Sequence, residues 1–341
     1  MALIIPKKVI AVESNWQKEL AQCYTDPKKL LNFLQISAAD HDKDGQARKL
    51  FPMRVPRPFA QKMRKGDIHD PLFRQVFPLF DEFTEYPGYN EDPLQEQQNP
   101  QQGILHKYQS RALLMVRGGC AVNCRYCFRR HFPYQDNSLN KAGWLEALKH
   151  IQDHTELNEV IYSGGDPLMA KDDFLLWLTQ QIEQIPHIKR LRLHTRLPVV
   201  IPQRIDHELL HWISQTPLKV VMVLHINHTN EIDDVLISKL AKLKDAGVTL
   251  LNQSVLLKGI NDNTDALEQL SERLFDGGIL PYYLHVLDKV KGAAHFDVSE
   301  TIARELMAGL IKRLPGFLVP KLVREIAGQP GKTPLDLHLH P

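Results

Sequence analysis

The chain has no uncharged apolar run near the 20 or so residues that a membrane-spanning helix needs, so no spanning helix is expected. Its opening, MALIIPKKVIAVESNW, lacks the continuous apolar segment and small-residue cleavage site of a secretory leader. Excess charge is missing too: 42 basic and 40 acidic side chains leave +2, which gives no electrostatic basis for binding nucleic acid. Cysteine is scarce, four in 341 residues, and three of the four lie between 120 and 127. A secreted disulfide scaffold spreads paired cysteines along a short chain, so this pattern points to a reducing cytoplasm. What remains is ordinary globular composition, 43% hydrophobic and 24% charged, enough for one large α/β domain with an appendage.

The texture changes near residue 105. Before it, WQKELAQCY and DPKKLLNFLQI read as short amphipathic helices, the second started by Thr25, Asp26 and Pro27. Residues 51–82 are rich in Pro and Phe, and 86–103 form a polar, turn-rich connector. Residues 1–105 are therefore expected to be a helical and irregular extension, and 106–341 the main domain. There, β-rich runs at 112–116, 159–163, 190–195, 219–226, 248–256 and 282–287 alternate with helical patterns such as NKAGWLEALKHIQ and NTDALEQLSERLF. Strands alternating with helices predict right-handed units on a parallel sheet. Six repeats are too few for a closed eightfold barrel, so the expected fold is α/β, a partial and open (β/α)6 barrel. The unusual polar residues fall at the strand ends, the rim where such folds collect their chemistry.

Three features stand on that rim or beyond it. CAVNCRYCFRR places Cys120, Cys124 and Cys127 just after the first strand of the series. Three thiolates can hold three irons of a four-iron cluster and leave the fourth for a small molecule; they can also bind zinc, with His131 as a fourth ligand. VIYSGGDPL ends the next strand in Gly164, Gly165 and Asp166, where glycine lets backbone approach a ligand and a carboxylate can accept from an ammonium. Near the C-terminus, Lys332 sits in a Gly/Pro-rich turn, where a lysine is either a solvated charge or the amine that holds an aldehyde cofactor. The remaining histidines, His225 and His228 included, read as pocket or packing residues.

The cysteine loop followed by Gly-Gly-Asp resembles the radical S-adenosylmethionine (SAM) superfamily. From Tyr86 to Leu335 the ordered series CFRR, SGGDPL, HTRLPVVIPQRI, HINHTNEI, NQSVLLKGIND, PYYLHVLD and GKTPL is similar to the lysine 2,3-aminomutase family. That resemblance implies an isomerase. It would move the amino group of L-lysine from C2 to C3 through a 5′-deoxyadenosyl radical and a pyridoxal phosphate aldimine. It implies a [4Fe–4S] cluster on Cys120, Cys124 and Cys127, with SAM at the open iron beside Gly164, Gly165 and Asp166. Lys332 would form the pyridoxal phosphate Schiff base, Arg111 would grip the phosphate, and Tyr283 and His285 would line that pocket. Arg129 would pair with the substrate carboxylate, and Asp288 and Glu325 with its distal ammonium. Two acids at that end disfavour glutamate, the alternative substrate, and a non-catalytic zinc module is the alternative of another class.

The sequence also departs from the family pattern. Asn263 stands where longer members carry a cysteine, the chain stops soon after Leu335, and Glu325 replaces the usual Asp. The resemblance is therefore to the short bacterial branch, without structural zinc, that makes (R)-β-lysine for modification of elongation factor P. Its expected partners are that factor with its lysyl-tRNA-synthetase-like ligase and an electron donor such as flavodoxin; a homo-oligomer is also compatible.

Overall fold

The computed structural model describes residues 15–97 and 101–339; the opening MALIIPKKVIAVES and the middle of the polar connector lie outside them. Capping chemistry starts the first helices. Asn15 accepts from the Gln17 N–H at the head of α1 (Trp16–Ala21). Asp26 caps α2 (Pro27–Phe33), whose first position is the proline that needs no donor there. The short helices α3 (Asp42–Gly45), α4 (Arg57–Ala60) and α5 (Pro71–Val76) follow, the last capped by the buried Asp70.

An antiparallel pair, β1 (Ile104–Tyr108) and β2 (Arg111–Arg117), opens the sheet. Then strands and helices alternate: α6 (Lys141–Asp153), β3 (Glu159–Gly164), α7 (Asp172–Glu183) and β4 (Arg190–Thr195). Next come α8 (Leu197–Val200), α9 (His207–Gln215), β5 (Lys219–Leu224), α10 (Asp234–Asp245) and β6 (Thr249–Val255). The series ends with α11 (Thr264–Asp276), β7 (Leu280–His285), α12 (Glu300–Arg313), β8 (Lys321–Arg324) and β9 (Thr333–Pro334). The nine strands pair in sequence order, with β2 to β8 parallel and β1 and β9 antiparallel at the two edges. All six predicted strands are present, in an open sheet. A seventh parallel strand and two edge strands extend it, too short or too weakly patterned to read beforehand. Asn263 caps α11 by accepting from the Ala266 N–H, a local reason for asparagine at that position. No helix among the described residues is long and apolar enough to cross a membrane.

The extension shares its core with the barrel. Leu30, Phe59 and Phe73 belong to the same apolar cluster as Leu114, Tyr162, Leu193 and Trp212. Each such side chain removed from water contributes about 1.5–3 kcal/mol. The extension also carries a buried ion-pair clamp. Arg125 in the cysteine loop is fully buried and donates Nε to Glu82 Oε1 at 2.8 Å and Nη1 to the Phe51 carbonyl at 2.8 Å. Glu82 also accepts from Arg130 at 2.7 Å. Removing one partner leaves buried charge uncompensated, so Glu82→Ala is expected to cost about 3–5 kcal/mol in denaturant unfolding. It should also lower metal retention by the cysteine loop, measured as iron per chain.

Candidate active site

One large cavity opens at the C-terminal ends of the parallel strands. Its wall takes the three thiols after β2, Gly164 to Asp166 after β3, Arg196 after β4, Asp288 after β7, and Glu325 and Lys332 beyond β8. Arg111, Arg129, Tyr283 and His285 line it as well, so every residue to which the family resemblance gives a role faces the same space. His131 does not line it. Its Nε2 lies 3.4 Å from the Lys291 carbonyl, so no zinc reading that needs this imidazole beside the thiols is supported. Cys23 packs beside the loop, its Sγ 3.9 Å from the Ala121 carbonyl, but outside the cavity wall.

The thiol loop has no regular structure and is held from outside. Arg54 donates to the Cys120 carbonyl at 3.0 Å, and the Asn123 side chain donates to the Pro52 carbonyl at 2.8 Å. Arg196 reaches Cys124 Sγ at 2.8 Å, Gln75 Oε1 at 2.7 Å and Glu231 Oε2 at 2.9 Å, and it also bonds the Tyr126 hydroxyl. Burial pushes the Cys127 thiol up to about 11, reinforced by Cys124, and burial likewise raises Cys120 well above the ordinary thiol value. Both are neutral without a metal, and metal binding must release their protons.

Glycine is required where the next strand meets this loop. Gly164 has φ of +115°, and a Cβ there would stand 2.4 Å from the Arg117 carbonyl oxygen. At Gly165 a Cβ would lie 2.7 Å from the Gly119 carbonyl oxygen. Asp166 is buried and already satisfied. It accepts from Thr195 Oγ1 at 2.8 and 3.0 Å and from the N–H groups of Leu168, Arg196 and Leu197 at 3.0, 2.8 and 2.8 Å. This carboxylate ties the ends of β3 and β4 together, and the glycine backbone is what it holds against the thiol loop.

The opposite wall is a chain of alternating charge. Arg129 donates Nε and Nη2 to Glu96 at 2.6 and 3.0 Å and Nη1 to Ser163 at 3.1 Å. Lys107 bridges Glu96 at 2.8 Å and Glu325 at 3.1 Å, and Lys332 pairs with Glu325 at 2.8 Å. The Tyr108 hydroxyl also donates to Glu325 at 2.6 Å. Adjacent strand residues normally face opposite ways; a register irregularity between Leu105 and Tyr108 lets Lys107 and Tyr108 reach the same carboxylate. Burial opposes ionisation of Glu325, yet Lys332 and Lys107 hold it well below the usual carboxylate range. Asp288 goes the other way, pushed up to about 7 by burial and by Glu325. Arg111 stacks on Tyr108, 4.0 Å to the ring centroid, and makes no ion pair among the described residues.

Several polar atoms on the wall have no hydrogen-bond partner among the described residues: Arg192 Nε, His194 Nε2, Arg196 Nε, Gln253 Oε1 and His285 Nε2 are all buried. Burial lowers His194 and His285 far below the usual imidazole value and His225 to about 3, so these rings are neutral. Orphaned donors and acceptors converging on one cavity fit polar ligands that complete them. Glu96, Lys107, Tyr108 and Ser163 were not apparent from sequence. Glu96 lies in a polar connector whose composition hides it, and Lys107 and Tyr108 lie on a strand whose alternation is too weak to announce it. Arg196 stands in the HTRLPVVIPQRI stretch, where the sequence gives it no role of its own.

Comparison with known proteins adds the following. Residues 115–270 match the family described as Radical SAM superfamily. An L-lysine 2,3-aminomutase of Escherichia coli is 56% identical over 95% of each chain. One of Haemophilus influenzae is 53% identical over 98% of this chain and 99% of its own. One of Clostridium subterminale is 31% identical over 94% of this chain and 78% of its own. The packing at Gly165 has a direct consequence: Gly165→Ala should cost about 1–3 kcal/mol of stability, read by denaturant unfolding. It should also reduce iron bound per chain after anaerobic reconstitution, because a methyl group there pushes the thiol loop off the end of β3.

Proposed function

The chain belongs to the L-lysine 2,3-aminomutase family, and from that membership we propose which residues carry its reaction and what the product serves. The enzyme is a radical SAM isomerase acting on lysine, and its family works with a [4Fe–4S] cluster, S-adenosylmethionine and pyridoxal phosphate. In the proposed assignment Cys120, Cys124 and Cys127 hold the cluster, and the Gly164–Gly165 backbone meets S-adenosylmethionine. Asp166 acts by fixing that backbone. Lys332 holds the pyridoxal aldehyde and Arg111 takes its phosphate, beside Tyr283 and His285. When bound, these groups supply a 5′-deoxyadenosyl radical and a π system across which nitrogen can pass from C2 to C3.

The chain's own residues select and orient the substrate. Arg129, on the cavity wall, spends three of its five N–H groups on Glu96 and Ser163, which leaves two for a carboxylate. Asp288 and Glu325 take the ε-ammonium at the other end, where an acidic side chain would meet two carboxylates. The observation that carries this assignment is the meeting of the thiol loop with Arg129, Asp288, Glu325 and Lys332 around one cavity. The proposed product is (R)-β-lysine, supplied to a lysyl-tRNA-synthetase-like ligase that modifies elongation factor P, with a flavodoxin-type protein as electron donor. Support for that branch is the similarity, over nearly their whole length, to relatives of this chain's own size.

Protein reconstituted anaerobically and offered L-lysine or L-glutamate should form β-lysine from the first, resolved by chiral chromatography. β-Glutamate without β-lysine would overturn the assignment. Lys332→Ala should lose the visible absorption of bound pyridoxal phosphate and at least about 99% of turnover. A pH dependence follows from Asp288, whose carboxyl stands at about 7 and must be ionised to accept an ammonium. Above that value it is charged; below it the proton neutralises it. kcat/KM for lysine should therefore fall about tenfold per unit as pH drops below about 7, and Asp288→Asn should lower the plateau and remove that step.

A further inference from the structure

We infer that His106, His150 and His154 form a binding site for a divalent first-row metal ion of the zinc or nickel type, on the outer side of the sheet edge and separate from the cavity. His106 comes from the edge strand β1, His150 from the last turn of α6, and His154 from the C-cap of that helix. Residues four apart share a helix face, so His150 and His154 present together, and the sheet edge brings His106 to them.

One ring nitrogen from each histidine lies within 4.8 Å of the other two. His106 Nδ1 and His150 Nε2 are 3.0 Å apart, one ring donating its N–H to the other, and on metal binding the donor ring carries that proton on its other nitrogen instead. Zinc–nitrogen bonds of about 2.0–2.1 Å at tetrahedral corners set ligand nitrogens about 3.3 Å apart, so this pair is already at chelating separation and the third closes by a side-chain rotation. His154 is prepared for that. Its Nδ1 lies 2.7 Å from the His150 carbonyl, so it donates its proton there and Nε2 carries the lone pair. All three rings are half-buried, with ring centroids 5.2, 5.1 and 4.0 Å apart, leaving a path for the ion and a fourth position for water. Three neutral imidazoles are a borderline donor set that favours zinc, nickel or copper over magnesium or calcium.

The site would clamp β1 to α6. β1 is otherwise joined to the sheet only through β2, and it carries Lys107 and Tyr108 to Glu325. Bound metal therefore stiffens the strand that positions one acid of the cavity.

The test uses holoprotein with its iron–sulfur cluster in place, so that the thiol loop is occupied. Zn2+ is titrated calorimetrically against a competing chelator, and metal per chain is counted by mass spectrometry after desalting. One Zn2+ per chain beyond the iron is expected, together with a rise in melting temperature. His150→Gln should weaken binding roughly 10–100-fold and abolish the thermal shift while iron content stays unchanged. His106→Gln, on the strand side, gives the same readout should the helix variant misfold. Stoichiometric binding that is equal in wild type and both variants, or no binding by wild type at micromolar zinc, overturns the site.

Discussion

The buried guanidinium of Arg196 ties the thiol loop to α5 and to the segment after β5. It bonds Cys124 Sγ, the Tyr126 hydroxyl, Gln75 from α5 and Glu231 beyond β5. The loop that carries the thiols has no helix or strand to fix it, so its geometry is borrowed from neighbours through charged hydrogen bonds. Arg125 and Arg130 do the same on the other flank by sharing Glu82. Such pairs are poor sources of net stability, because desolvation offsets most of the attraction. Their value lies in direction: planar forks fix where the loop can sit, and the cluster proposed to sit on its three thiols would tolerate little error.

Across the cavity, charges alternate in sign. Arg129, Glu96, Lys107, Glu325 and Lys332 form a chain in which each ion faces one of opposite sign. Asp288 stands outside it, making no ion pair among the described residues, and burial together with Glu325 raises its carboxyl value. In the proposed assignment the arriving ammonium supplies the missing partner. The Glu325 carboxylate meets Lys107, Tyr108 and Lys332 at once.

Much of this was legible in advance. Alternation of strand and helix, helix caps such as Asp26, and the rim position of the polar residues follow from local rules that need no partner segment. The six repeats appear near their expected bounds for that reason. Two-residue β9 and four-residue β8 could not be read, because such short segments become strands only when a neighbouring edge accepts their hydrogen bonds. Glu96 escaped because a carboxylate in a polar connector looks solvated until the chain folds it onto Arg129. The gathering of His106 with His150 and His154 escaped as well, since a strand and a helix C-terminus far apart in the chain give no shared pattern.

By itself, the sequence determined the chemistry: three thiols at metal-binding spacing, glycines where backbone must approach, and a lysine and two acids in a specific order. These are properties of residue type and local spacing, set when the chain is written. Tertiary structure alone decided what those groups face. It put Asp166 to work as a tie between strands, gave Cys124 its arginine, loaded Glu325 with two lysines and left Asp288 without an ion pair among the described residues. Long-range contact and burial set such things, because the strength of a charge or hydrogen bond depends on which distant segment arrives beside it and how much water is expelled.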